Sequence, residues 1–228
     1  MAPRKYEQRI RAAAAEETRR RILDTMYERL RTRPSAPLSV DEVARSAGVA
    51  RSTIYLIFGS RAGLFDALAR DLFERAGLAR LLDAVGHPDA TEHLRGGVRA
   101  SVAMFVAERD VMWALMSMAR ANPDAVAGAV HRIEENRAGG MRYVAQRLGE
   151  QGRLRPDVSV EEAADLLWVV TSFEAFDLLY TGRGLAAEDV ADRLVAMAER
   201  AVLALNHGRA PGPPDGAEDA CAPSHSAP

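Results

Sequence analysis

From about Glu16 to Leu205 the apolar residues recur three and four apart, and no stretch alternates with a period of two, so the chain reads as all-α. The first stripe is Ile22, Leu23, Met26, Tyr27 and Leu30, on a helix expected over residues 16–31. Two prolines in the 32–37 stretch end it, because proline cannot continue a helix. Ser39 then precedes Val43, Ala44 and Ala47, where its hydroxyl can accept an unpaired N–H of a new opening turn. Gly48 offers the positive φ that a helix end and a sharp turn require. A second short helix follows, with Arg51, Ser52 and Thr53 at its start and Ile54 and Phe58 facing inward. Two short helices about a glycine turn form the layout of a helix-turn-helix, whose second helix enters the DNA major groove by its N-terminal end.

The remaining pattern is also helical. A linking helix is expected over 60–79 on Leu64, Phe65, Leu68 and Leu72, with a break at Gly86-His87-Pro88. Helices are then expected over 91–108, 110–121, 124–150, 160–181 and 187–205, separated in part by Asn122-Pro123 and by the glycine-bearing stretches 149–156 and 182–184. Residues 206–228 hold five prolines and three glycines with almost no large apolar side chain, and are expected to be disordered. Residues 1–15 carry Arg4, Lys5, Arg9 and Arg11, as either a flexible basic arm or an N-terminal extension of the first helix. The organisation expected is an arm (1–15), a helix-turn-helix domain (16–68), a larger helical domain (69–205) and a tail (206–228).

At this level the residues have a recognisable pattern. Ile22-Leu23-Asp24, Val43 through Val49, and Ser52 through Arg61 with Leu64 closely resemble the N-terminal domain of TetR-type transcriptional regulators. Leu154 to Asp157, Glu161 to Trp168, Thr171 to Glu174 and Leu178-Leu179 look like the C-terminal half of many members. The resemblance implies a three-helix helix-turn-helix DNA-binding domain followed by a larger α-helical ligand-binding and dimerisation domain. It implies a homodimer on a palindromic operator in double-stranded DNA, with half-sites about one turn (~34 Å) or slightly more apart. It further implies a repressor by family default, released by a small-molecule effector through a shift between dimer spacings.

On that resemblance, Ser39, Arg51, Ser52, Thr53, Tyr55, Ile57 and Arg61 are the DNA-binding candidates. Arg51 suits a bidentate bond to guanine, and Ser52 and Thr53 suit bases or phosphates. Tyr55 matches a family tyrosine whose hydroxyl reaches a phosphate, and Ser39 sits at a helix N-terminus that favours one. Arg61 replaces the usual lysine and keeps its charge. Ile57 stands where the family often has a polar residue, and either meets a thymine methyl or packs. Gly63 replaces a better helix former, at an expected cost of about 1 kcal/mol against alanine.

The soft and aromatic residues of the second domain are the candidates for an effector site: Met104, Phe105, Met112, Trp113, Met116, Met141, Tyr143, Trp168, Phe173 and Phe176. Pockets for small molecules are mostly apolar, so this set favours an apolar or aromatic ligand, with Arg120, His131, Glu134, Glu174 and Asp177 as possible polar anchors. Leu167, Val170, Leu194, Met197 and Val202 are the dimerisation candidates, taken from two helices richer in apolar residues than a singly buried helix needs.

Charge sharpens the division. Residues 1–65 hold 13 Lys and Arg against 7 Asp and Glu, a net of +6, while residues 66–228 hold 17 against 25, a net of −8. A basic N-terminal third on an acidic body fits a DNA-facing module joined to one that does not face DNA. With Cys221 alone, no intrachain disulfide can form, which fits a reducing compartment. The N-terminus lacks the apolar core of a secretory signal and no segment nears the roughly 20 apolar residues of a membrane span, so a cytoplasmic protein without membrane contact is expected. None of the five histidines has a glutamate three residues before it, Lys5 is the only lysine, and no phosphate-binding glycine loop occurs. Metal-dependent or nucleophilic catalysis is thus poorly supported, and neither metal nor cofactor is expected. Activation in place of repression, or control by a protein partner, is equally open to a DNA-binding protein of this pattern.

Overall fold

A computed structural model describes residues 3–36, 38–75, 78–121 and 123–204. Among them are ten helices: α1 (Pro3–Thr32), α2 (Val40–Ser46), α3 (Arg51–Phe58), α4 (Arg61–Arg75), α5 (Leu78–Val85), α6 (Ala90–Ala121), α7 (Pro123–Glu150), α8 (Val160–Val170), α9 (Phe173–Tyr180) and α10 (Ala187–Val202). Extended pairing among the described residues is an isolated antiparallel bridge between Leu154 and Leu203. No described helix is long and apolar enough to cross a membrane. The expected tail at 206–228, with Cys221, lies outside the described residues.

The stripe Ile22, Leu23, Met26 and Leu30 is buried as the spacing predicts, and it forms the wall against which α2, α3 and α4 pack. Ser39 caps α2, accepting the Glu42 N–H at 3.1 Å, and Gly48 turns the chain at φ 64°. Polar ties hold α1 to the turn: Arg21 donates to the Ala47 carbonyl at 3.0 Å, and Arg29 pairs with Glu42 at 2.7 Å. The arm resolves in favour of the helical alternative, since α1 is already helical at Pro3. Its residues 12–17 are exposed, so this extension stands clear of the core.

Behind this unit, α7 packs against α4, α6 and α8, and α10 lies across α6 and α8. The linking helix expected over 60–79 is described as α4 to Arg75, with helix again from Leu78 in α5; residues 76–77 lie outside the described residues. The two helices expected over 91–108 and 110–121 are one helix, α6, with a kink at Glu108 (φ −115°, ψ 16°). Conversely, the single helix expected over 160–181 is two. Thr171 turns its hydroxyl back to the Leu167 carbonyl at 2.8 Å, and Ser172 caps a new helix by accepting the Ala175 N–H at 3.1 Å. Side chains that bond the local backbone compete with helix continuation, and here they win.

Both units meet along α1 and α6, and along α4 and α7. Arg75 ends α4 with its guanidinium 4.8 Å from the centroid of Tyr27 and its nitrogens on Asp71 and Asp24. The Tyr27 hydroxyl is pushed up to about 12, first by burial and then by its hydrogen bond to Glu108 at the kink. Glu108 is 6% exposed, and its Oε2 has no hydrogen-bond partner. Arg132 of α7 pairs with Asp66 of α4.

Gly63 departs from the expectation that it merely weakens its helix. A Cβ there would collide with the Phe58 carbonyl oxygen, a backbone atom that cannot swing away. Its N–H is also held by the Ser60 hydroxyl at 2.9 Å. The missing side chain is what lets α4 start so close to the end of α3. Gly63→Ala is therefore expected to lower stability by about 1–3 kcal/mol, as overpacking does, where helix propensity alone would raise it by about 1 kcal/mol. Urea unfolding of both proteins gives the sign.

Candidate DNA-reading face and effector region

Helix α3 has Ile54 fully buried on its inner side. Its outer side carries the residues nominated for DNA. Arg51 and Ser52 are exposed, and Thr53, Tyr55 and Ile57 are half-buried. Gly59, at φ 75°, ends the helix by donating its N–H to the Tyr55 carbonyl at 2.8 Å. Arg19 of α1 lies 5.8 Å from the Phe58 ring and covers that end.

Arg51 is not idle in the free protein. Its Nη1 lies 3.2–3.3 Å from both Asp41 carboxylate oxygens, and its Nη2 donates to the Tyr55 hydroxyl at 3.2 Å. The Tyr55 bond, followed by the charge of Asp41, raises its pKa further and keeps it fully cationic. Both partners are exposed, so the pair is held weakly and can be exchanged for another anion or for a guanine edge. Ser39 is exposed; its oxygen accepts from Glu42, which leaves its O–H free to donate outward.

Arg61 lies beside the backbone that precedes α2. It is half-buried, donates to the Leu38 carbonyl at 3.4 Å, and lies 5.8 Å from the Phe65 ring centroid. That position braces the backbone just ahead of the Ser39 cap. Ile57 takes the packed alternative, lying against the core of the domain. The outward apolar residue of α3 is its neighbour Leu56, 85% exposed, which is not among the nominated residues. Its signal was its register, two residues beyond the inward Ile54.

The ten effector candidates do not surround one space. Phe105, Met112, Met116, Phe173 and Phe176 are buried, and the phenylalanines pack on one another with ring centroids 5.4–6.0 Å apart. Tyr180 extends that cluster, stacked 5.1 Å from Phe176. Met104 and Met141 are half-buried, while Trp113, Tyr143 and Trp168 reach the surface. Trp168 is held from outside: its Nε1 donates to Glu134 at 3.1 Å, and Arg137 lies 5.2 Å from its ring. Two cavities are described, and none of the ten lines either. One, of about 420 Å³, is an open groove lined by charged residues that include Asp89, Arg95 and Glu199. The other, of about 220 Å³, sits at the α6 kink between Arg31, Glu108, Arg109 and Tyr180.

The polar anchors are already engaged: Arg120 with Glu174 at 3.0 Å, Asp177 with Arg109 at 2.8 Å, Glu134 with Arg137 at 2.6 Å, and His131 with Glu135 at 3.2 Å. The dimerisation candidates divide as well. Leu167, Leu194 and Val202 are buried within the chain's own core, Val170 is half-buried against it, and Met197 faces outward. The large apolar side chains that do face outward on these helices are Val169 and Leu178, 60% and 70% exposed. No group of His, Cys, Asp and Glu among the described residues could hold a metal ion.

Comparison with known proteins agrees with this division. Residues 22–68 match the family model described as bacterial regulatory proteins, tetR family. The HTH-type transcriptional regulator AlkX of Mycobacterium tuberculosis is 44% identical over 54 residues, 24% of this chain, and the match spans about a quarter (26%) of that relative. Solved structures share the fold over the whole body. NalD of Pseudomonas aeruginosa, the secondary repressor of the MexAB-OprM multidrug efflux pump, superimposes with a TM-score of 0.63 at 21% identity, over 83% of this chain and 98% of its own. The ketosteroid transcriptional regulator KstR2 of Mycobacterium tuberculosis does so with a TM-score of 0.56 at 20% identity, over 82% and 95%. Residues 22–68 thus carry the helix-turn-helix domain of the tetR family of bacterial regulatory proteins, and the all-helical body behind it shares its fold with solved structures of such regulators.

Proposed function

We propose that this protein binds a palindromic operator in double-stranded DNA as a homodimer, represses transcription there, and is released by a small apolar or aromatic effector. One observation carries the DNA reading: α3 buries Ile54 and turns Arg51 and Ser52 outward, on the basic third of the chain. Arg51 supplies the bidentate donor that reads guanine, and Ser52 and Thr53 reach neighbouring bases or phosphates. Ser39 donates to a phosphate at the α2 N-terminus, where the exposed amides add to the attraction. Tyr55 shares its hydroxyl with Arg51 and positions it. Arg61 acts through the backbone it braces.

A dimer is supported by Val169, Leu178 and Met197, which leave large apolar surface exposed on the adjacent helices α8, α9 and α10. Such surface on a monomer marks a place of association. Repression is supported by the shared fold with NalD, a repressor. An apolar effector is supported by the packed Phe105, Phe173 and Phe176 with Met112 and Met116, soft side chains that can part to admit a ligand of similar character. That cluster extends through Tyr180 to the α6 kink, and the kink meets Tyr27 of the DNA-binding domain. A ligand that spreads the cluster would bias the angle between the two units by its differential affinity for the two states.

Selection from random duplexes is expected to return an inverted repeat, and the absence of any enriched sequence at low salt would overturn the reading. Arg51→Ala is expected to weaken binding to that repeat by roughly 5- to 150-fold, from about 1–3 kcal/mol per bidentate contact, as measured by fluorescence anisotropy at fixed salt. Arg61→Ala is expected to lower the unfolding temperature of the domain while leaving the salt slope of binding unchanged, because its guanidinium is turned to Leu38. The paired substitutions Val169→Asp and Leu178→Asp are expected to shift sedimentation from twice the 24.8 kDa chain mass to the monomer. An unchanged dimer would move the interface elsewhere.

A further inference from the structure

Leu56 is the most exposed of the large apolar side chains among the described residues, at 85%. A lone exposed leucine means little on an ordinary surface. This one lies elsewhere: two residues past the fully buried Ile54, it is turned about 200° from the core. That puts it on the outermost ridge of α3, directly below Ser52, one turn earlier on the same face. Its flanks in sequence, Tyr55 and Ile57, are both half-buried against the domain core, so neither covers it. Leucine has no donor for a phosphate and no acceptor for a base amine. In the major groove, the apolar group that a base pair presents is the C5 methyl of thymine.

We infer that Leu56 reads a thymine methyl in each half-site, as a specificity-determining residue of the DNA-reading face. The inference rests on the DNA-binding reading above. Leu56 follows Arg51 by five residues and Ser52 by four, about 7.5 and 6 Å along the helix axis. With base pairs about 3.4 Å apart, the thymine lies at most about two steps from the base that Arg51 meets. Arg51 and Leu56 then read two neighbouring positions by opposite chemistry, one through paired N–H donors and one through an apolar contact.

The test uses the full-length protein and the duplex returned by selection, with each thymine replaced in turn by deoxyuridine, which lacks only the methyl. The wild-type protein is expected to lose about 3- to 10-fold in affinity at one thymine per half-site. Leu56→Ala is expected to bind the parent duplex more weakly by the same factor and to be indifferent to uridine at that position. Because the side chain is so exposed, its removal leaves the unfolding temperature unchanged. Ile57→Val, altering the packed neighbour, keeps the uridine discrimination. Uridine effects of equal size in wild type and Leu56→Ala, or no thymine effect at all, would overturn the inference while leaving sequence-specific binding intact. Loss of the apolar contact to a second copy of the protein instead would appear as a change in sedimentation without DNA, and would likewise overturn it. Failure to enrich any duplex removes the DNA-binding reading itself.

Discussion

A helix of eight residues does not hold its shape in water, because nucleation costs more than so few hydrogen bonds return. The proposed DNA-reading face is such a helix, so it depends on packing, above all on the burial of Ile54 in the core that α1 and α4 help to build. Around that contact every chain reversal is secured locally. Gly48 and Gly59 take the left-handed turns, Ser39 and Ser60 hold the next N–H groups, and Arg21 fastens the turn to α1. Gly63 belongs to the same economy of space, letting α4 leave from directly beneath the end of α3. The reading helix is thereby fixed in position as well as in conformation, which short helices seldom manage alone.

The junction with the body is built from different material. Tyr27, Arg75, Asp24 and Asp71 form a polar and aromatic contact at the place where α6 bends. Glu108 brings a carboxylate there, with one oxygen left without a partner. Close-packed apolar interfaces are held by shape, whereas a polar contact of this kind is held by which partners its groups find. The DNA-binding unit is packed on apolar side chains inside and meets its body partly through polar and aromatic groups.

Much of this was legible from the residues. Caps, glycine turns and the inward stripe of α1 are local signals, and the helix-turn-helix followed from them with the correct register. The errors arose where tertiary contact decides. The break expected between residues 108 and 110 is a kink within one helix: the local pattern marks the place, but the contact there with Tyr27, more than eighty residues earlier, lies outside it. The end of α8 was local after all: Thr171-Ser172 bonds its own backbone, but the apolar run on either side hides the pair. Leu167, Leu194 and Val202 share their helices with Val169 and Met197, and apolar content alone cannot say which face turns to the chain's own core. Aromatic residues suited to line a pocket, such as Phe105 and Phe176, fill the core by packing on each other. Gly63 carries the plainest lesson, since propensity scores a residue by itself and the collision it avoids is with another helix.

The Arg51–Asp41 pair has a kinetic meaning on the proposed reading. A regulator spends most of its search on sequences it must not hold, gripping the backbone while it slides. Arg51 reaches DNA with its guanidinium already on a carboxylate, and an exposed pair of this kind exchanges readily for phosphate oxygens or for a guanine edge. Asp41 thus sets a small cost, the same at every site, that any contact of Arg51 with DNA must exceed, and it holds the side chain beside the reading face until that contact forms.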